Sequence, residues 1–162
     1  MAVLGDGKLG TLVAMVLVQT GAEVTLIGRH AHKLERARAA GARAVLADER
    51  LGGDFDVAVE ATGSPEGLAR AKGLLRPRGT LVLKSTFHGK TELDTAPFVI
   101  DEITLVGSRC GPFPPALRAL SARRIDPSPL VEARYPLADG VRALEHAARP
   151  GALKVLLVPG AD

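Results

Sequence analysis

Near the start of the chain, Gly5-Asp6-Gly7-Lys8-Leu9-Gly10 places three glycines at the spacing GxGxxG. The motif follows a short apolar run, Ala2-Val3-Leu4, and opens a long apolar segment from Leu9 to Val18. Strand, glycine turn and helix, in that order, form the context in which this spacing carries meaning. Gly5 permits the tight turn out of the strand. Gly7, without a Cβ, lets a pyrophosphate approach the backbone, and Gly10 lets the helix lie close on the sheet. The phosphates would sit at the helix N-terminus, where amide N–H groups and the positive dipole end attract an anion. The chemistry on offer is dinucleotide binding, with Gly5, Gly7, Leu9 and Gly10 in the cradle. Lys8 either adds a charge there or is a solvated lysine of the first turn.

A second group lies after the apolar run Val24 to Ile27. In dinucleotide-binding sheets selective for NAD, an acid closes the second strand about 20 residues past the glycines and accepts hydrogen bonds from the ribose 2′-OH. Here that position is Gly28, and Arg29 follows, with His30, His32 and Lys33 close by. Glu23 lies at the opposite end of the strand. A carboxylate would repel a 2′-phosphate, whereas a guanidinium can bind it through two parallel charged hydrogen bonds. The pattern predicts NADP in preference to NAD, read by Gly28, Arg29, His30 and Lys33. The competing reading makes Arg29 a solvated surface residue and Gly28 a plain turn.

The elements that must position these residues follow from periodicity. A first helix is expected from about Lys8 to Thr20, with Leu9, Leu12, Val13, Val16 and Leu17 in one stripe and Gly21 ending it. Val24 to Ile27 reads as a strand buried on both faces. A helix from about His32 to Ala40 and a short strand, Ala44 to Leu46, come next. Asp56 to Ala61 is a fourth strand. Ser64 then caps a helix with Pro65 at its first position. That helix carries Leu68, Ala71 and Leu75 and is broken by Arg76-Pro77-Arg78-Gly79. Thr80 to Leu83 and Ile103 to Val106 complete six strands. Their alternation with helices predicts an α/β, doubly wound parallel Rossmann sheet of order 3-2-1-4-5-6. Ligands of such sheets bind at the carboxyl ends of the strands. Beyond Arg124 the character changes. Residues 1–124 form the expected nucleotide-binding domain, and 125–162 a β-α-β tail: strand Val131 to Tyr135, helix Asp139 to Ala147, strand Leu153 to Val158.

Composition narrows the partners. With 162 residues, 46% of them hydrophobic and 24% charged, the chain suits a globular domain with a sizeable core. Aromatic residues make up 3%, too few for single-strand stacking platforms, and the net charge of +3 is spread along the chain, so no nucleic-acid partner is expected. Cys110 is alone, which excludes an intrachain disulfide and a cysteine-rich zinc cluster; it reads as a small apolar residue. The apolar segment after the glycines is too short to span a bilayer and has no basic leader, so a cytoplasmic protein without a membrane partner is expected.

Several segments together resemble the coenzyme-binding half of the zinc-containing medium-chain alcohol dehydrogenases, within the medium-chain dehydrogenase/reductase superfamily. They are Val3 to Gly10, Val24 to Arg29, Asp56 to Gly63 (DVAVEATG), Gly79 to Leu83, Ile103 to Ser108 (ITLVGS) and Lys154 to Leu157. The likeness covers the whole chain. It implies a domain that orients a nicotinamide for hydride exchange between an alcohol and a carbonyl. By the same resemblance Thr62 and Gly63 line the adenosine side, or form only a strand-to-helix turn. Lys84, Ser85, Ser108 and Arg109 face the nicotinamide, mostly through backbone groups. Ile103 to Val106 forms the edge through which two copies pair.

The resemblance also implies a catalytic domain upstream that holds zinc, which this chain would lack. No zinc is expected here, and no residue is assigned to catalysis. The tail would complete that missing domain, and the isolated chain would bind cofactor without turning over. The rival reading is a free-standing dinucleotide-binding sensor or subunit. His88, in the loop after the fifth strand, is a solvated histidine or a catalytic one; Asp54 and Asp56 read as surface acids.

Overall fold

The computed structural model describes residues 1–86 and 90–160 of the chain. Two compact units divide it, Met1–Leu117 and the segment from Arg118 onward. The first is built on six strands: β1 (Ala2–Leu4), β2 (Thr25–Gly28), β3 (Arg43–Leu46), β4 (Phe55–Glu60), β5 (Leu75–Leu83) and β6 (Thr104–Gly107). All pair in parallel, in the order β3-β2-β1-β4-β5-β6. This is the Rossmann topology predicted, with helices on both faces.

The central strands alternate faces at every residue, and both faces are apolar. Ala2, Leu4, Ile27 and Ala58 point into one core with Leu68, Ala71 and Leu81. Val3, Leu26, Ala44 and Val59 point into the other with Ala14, Leu34 and Ala37. Leu4, Leu26, Leu34 and Leu81 are among the most deeply buried side chains. Each contributes about 1.5–3 kcal/mol of burial.

Helix α1 (Lys8–Val18) joins β1 to β2, α2 (Ala31–Ala39) joins β2 to β3, and α3 (Pro65–Gly73) joins β4 to β5. The expected stripe of α1 holds in part, with Val13 and Leu17 packed against the second core, and is otherwise corrected. Its buried residues are Gly10, Thr11, Ala14 and Met15, while Leu9 and Val16 are exposed. Small residues face the sheet because the helix lies so near it: a Cβ on Gly10 would sit 1.8 Å from the Gly5 carbonyl oxygen.

Ser64 caps α3 as expected, its Oγ accepting from the Gly67 N–H at 3.1 Å, with Pro65 in the first turn. Leu75, by contrast, belongs to β5 and not to α3. The strand continues through Arg76 to Gly79 by a shift of register against β4, where Arg78 takes φ 63° and its N–H reaches the Asp101 carbonyl at 2.6 Å. Two short helices, α4 (Ala96–Ile100) and α5 (Phe113–Ser121), flank β6 in sequence.

The second unit contains a parallel pair, β7 (Val131–Pro136) and β8 (Lys154–Val158), connected through α6 (Gly140–Ala147). Ile125, Leu130, Ala143 and Leu153 are its buried apolar residues. His146 is held between two partners: its Nδ1 lies 3.0 Å from the Tyr135 hydroxyl and its Nε2 3.0 Å from Glu132 Oε1. Glu132 also accepts the Leu153 N–H at 2.6 Å. Side chains therefore tie β7 to α6 and to the residue before β8, beside the ladder between the two strands.

Candidate dinucleotide site

Every element of the sheet delivers a polar turn to the same edge, the carboxyl ends of the strands. At the end of β1, Gly5 adopts φ +116°, which only glycine takes without strain. A Cβ there would also meet the Ala61 carbonyl oxygen at 2.5 Å. Gly7 occupies the N-cap of α1, with no side chain capping the helix and no acid in its first turn. The space beyond Gly7 is open: a Cβ placed on it meets nothing within 4 Å among the described residues. The loop thus fits a pyrophosphate laid against the amino end of an eleven-residue helix. Lys8 and Leu9 are exposed beside it, and Gly10 is buried beneath it.

At the end of β2, Gly28 is buried, Arg29 is exposed and His30 is half-buried. Among the described residues no ion pair engages the Arg29 guanidinium. Lys33 lies in the first turn of α2 at 5% exposure, buried rather than held out in solvent. Asp6, the residue inside the glycine turn, reaches across to this strand. Its Oδ2 accepts the His30 backbone N–H at 2.6 Å and lies 2.9 Å from His30 Nδ1. Burial works to raise the Asp6 carboxyl; hydrogen bonds from the His30 backbone and ring, the His30 charge and the Arg29 backbone outweigh it and hold the group below the usual carboxylate range.

The third cluster joins β4, β5 and β6, and its centre is Glu60. This last residue of β4 is 1% exposed. Its Oε1 accepts the Thr62 N–H at 2.6 Å, the Thr62 hydroxyl at 2.5 Å and the Gly63 N–H at 3.1 Å. Its Oε2 accepts the Ser85 hydroxyl. The Gly63 N–H is shared with Ser85 Oγ at 2.9 Å. One carboxylate therefore fixes the turn after β4 and links it to the turn after β5. Lys84 extends the link to β6, its ammonium donating to the Arg109 carbonyl and lying 3.4 Å from that of Ser108.

Thr62, Gly63, Lys84, Ser85, Ser108 and Arg109 are thus brought together, and the glycine turn and the Gly28–His30 turn are joined by Asp6. His88 lies outside the described residues. Asp54 and Asp56 are exposed, the latter paired with Arg76 at 2.7 Å. Cys110 is exposed. Among the described residues, no group of three or more His, Cys, Asp or Glu side chains could hold a metal ion, and no helix is long and apolar enough to cross a membrane.

Sequence reasoning missed Asp6 and Glu60. A signal existed for each. An acid that follows an apolar run such as Val57-Ala58-Val59, or that sits inside a glycine turn, must find donors when it is buried.

Residues 9–123 match the family model for zinc-binding dehydrogenases. The chain belongs to that family. Within it, the chain corresponds to the coenzyme-binding half of the zinc-type medium-chain alcohol dehydrogenase-like oxidoreductases. It is 37% identical over 95 residues to glucose 1-dehydrogenase of Thermoproteus tenax, which covers 56% of this chain and 27% of that protein. It is 26% identical over 171 residues to human sorbitol dehydrogenase, covering 96% of this chain and 48% of that one. A solved structure named as a zinc-binding dehydrogenase from Sinorhizobium meliloti, bound to NADP, superposes with a TM-score of 0.88 at 26% identity, covering 98% of this chain and 52% of the other. The chain spans about half the length of the sorbitol dehydrogenases it matches.

Proposed function

We propose that this chain binds NADP in preference to NAD and orients its nicotinamide for hydride exchange between an alcohol and a carbonyl. The observation that carries the reading is the sequence of turns along one sheet edge. The glycine turn offers a helix N-terminus and open space beside Gly7 for the pyrophosphate. The end of β2 offers an exposed Arg29 and, in place of an acid, Gly28. The ends of β4 to β6 offer Thr62, Gly63, Ser85 and Ser108 on a frame that Glu60 and Lys84 hold still.

When bound, the nicotinamide supplies the hydride chemistry. The residues of this chain supply position and field. Gly5, Gly7 and Gly10 bring backbone close to the phosphates, with Lys8 and Leu9 at the rim. Arg29, exposed at the end of β2 with His30 beside it, reads the adenosine ribose, and Lys33 lies buried behind them in the first turn of α2. Thr62 and Gly63 border the adenosine side, and Lys84, Ser85, Ser108 and Arg109 the nicotinamide side.

The substrate-polarising zinc, in this reading, is held by a catalytic domain outside these residues. Residues 125–162 are the segment that completes that domain, and 1–124 are the nucleotide-binding part. β6 is the edge across which two copies pair. The same reading carries a cytoplasmic setting, in keeping with Cys110 as the one cysteine of the sequence.

Calorimetric titration of the full chain with NADP and NAD tests the assignment. Tighter binding of NADP, lost in Arg29→Ala by roughly tenfold or more, is the expected result, since one charged hydrogen bond contributes about 1.5–3 kcal/mol. Equal affinity for the two, or an unchanged NADP affinity in the variant, overturns it. The chain by itself should show no zinc-dependent alcohol oxidation in the same preparation; robust turnover would remove the need for a separate catalytic domain.

A further inference from the structure

We propose that Asp6 and Gly28 form one specificity-determining pair: the Asp6 side chain, turned into the Arg29-His30 turn, fills the space that an acid at position 28 would need. The inference rests on the reading of this edge as a dinucleotide site, and it explains why the strand ends without the acid that would select NAD.

Gly28 is not among the glycines with positive φ, so its own backbone accepts an L side chain. The obstacle is Asp6. A Cβ on Gly28 would stand 2.4 Å from the Asp6 Cβ and 2.7 Å from its Cγ and Oδ2. The closest of these atoms is attached directly to the backbone, so no rotation of the Asp6 side chain relieves the clash. Nor is the rest of the side chain at liberty to move. It is buried, and its Oδ2 is committed to the His30 N–H at 2.6 Å and the His30 ring at 2.9 Å.

The carboxylate that fills the space over β2 is therefore directed into the Arg29-His30 turn. It fixes that turn and leaves Arg29 as the charged group facing outward. Acquiring the β2 acid requires two changes together, removal of the Asp6 side chain and introduction of an acid at position 28.

A melting and binding cycle on the full chain tests the coupling. The proteins are Asp6→Gly, Gly28→Asp, their combination, and Gly28→Ala with and without Asp6→Gly. Gly28→Asp and Gly28→Ala should each lower the melting temperature by several degrees. Asp6→Gly in the same chain should recover most of that loss, although alone it stabilises nothing. The combined Asp6→Gly, Gly28→Asp protein should shift the NADP-to-NAD affinity ratio at least tenfold toward NAD.

Gly28→Ala melting with the parent, or no recovery when Asp6 is removed, overturns the steric coupling. Recovery without a shift in cofactor ratio overturns the specificity role. Should Arg29→Ala leave NADP binding unchanged, the NADP reading fails separately, and the melting cycle still decides the coupling.

Discussion

Glu60 offers the sharpest test of how the site is held. Replacing it by alanine takes a buried acceptor from four donors: the Thr62 N–H and hydroxyl, the Gly63 N–H and the Ser85 hydroxyl. Hydrogen bonds to a charged group contribute about 1.5–3 kcal/mol each when lost singly, but a shared acceptor does not give an additive sum. Thr62 is exposed and recovers water, and Gly63 keeps Ser85 Oγ. The net cost should be about 3–5 kcal/mol, the loss of one or two charged hydrogen bonds together with the space the side chain leaves. For a chain of this size that lowers the melting temperature by about 6–20 °C.

Glu60→Gln separates spacing from charge. Its carbonyl oxygen can keep the three Oε1 bonds, and the Ser85 hydroxyl can turn to accept from the new amide. It should cost only about 1–2 kcal/mol. Urea denaturation followed by far-UV circular dichroism measures both, and calorimetry with NADP should show weaker binding in the alanine variant. A loss below about 1 kcal/mol in Glu60→Ala, or equal losses in the two variants, would refute the network as the source of the site's rigidity.

Two further outcomes are expected. The Asp6 carboxyl titrates low in the folded chain, so its stabilisation is present above the ordinary aspartate value of about 3.9 and is lost as pH falls through the lower, folded value; thermal melts between neutral pH and about pH 3 should fall more steeply for the parent than for Asp6→Asn, and parallel curves would contradict this. The four residues of β6 are all exposed, among them Leu105 and Val106, and none is a lysine or proline that would discourage pairing; light scattering should find a dimer that an added lysine, Leu105→Lys, dissociates, and a monodisperse monomer at high concentration would count against the pairing.

The order of the sheet was legible because each inner strand carries a short apolar run, Ala2-Val3-Leu4, Leu26-Ile27, Val57-Ala58-Val59 and Leu81-Val82-Leu83, with a glycine or polar turn beyond it. No neighbouring feature competes with that pattern. Leu75 was misread because Arg76-Pro77-Arg78-Gly79 looks like a break between helix and strand. The strand passes through it by a register shift that depends on a bond from Arg78 to Asp101, on a distant segment. No element was expected where helix α5 lies; it begins Phe113-Pro114-Pro115, and prolines are tolerated in a first turn.

The contact face of α1 was misread in part, at Leu9 and Val16, for a different reason. Hydrophobicity marks which residues avoid water, but the closest approach of helix to sheet selects for small size, and Gly10 and Ala14 meet that requirement where Leu9 and Val16 cannot. Within the site, the glycine turn announced itself locally. Asp6 and Glu60 did not, since His30 and Ser85 lie 24 and 25 residues away in the chain and meet them only once the parallel sheet has formed.

The cap on α3 carries the Glu60 network into the inheritance of the sequence. A Cβ on Gly67 would stand 1.8 Å from Thr62 Oγ1, the atom that donates to Glu60. A glycine inside a helix, ordinarily an easy residue to replace with alanine for a small gain in helix stability, is here tied to a threonine five positions earlier. Any descendant of this chain that mutates Gly67 must first abandon Thr62 or rearrange the turn, and in doing so loosens the acid that holds Ser85. A side chain at position 67 should therefore be found only in lineages where Thr62 has already changed, whereas Thr62 itself is free to change first at the cost of its bonds to Glu60.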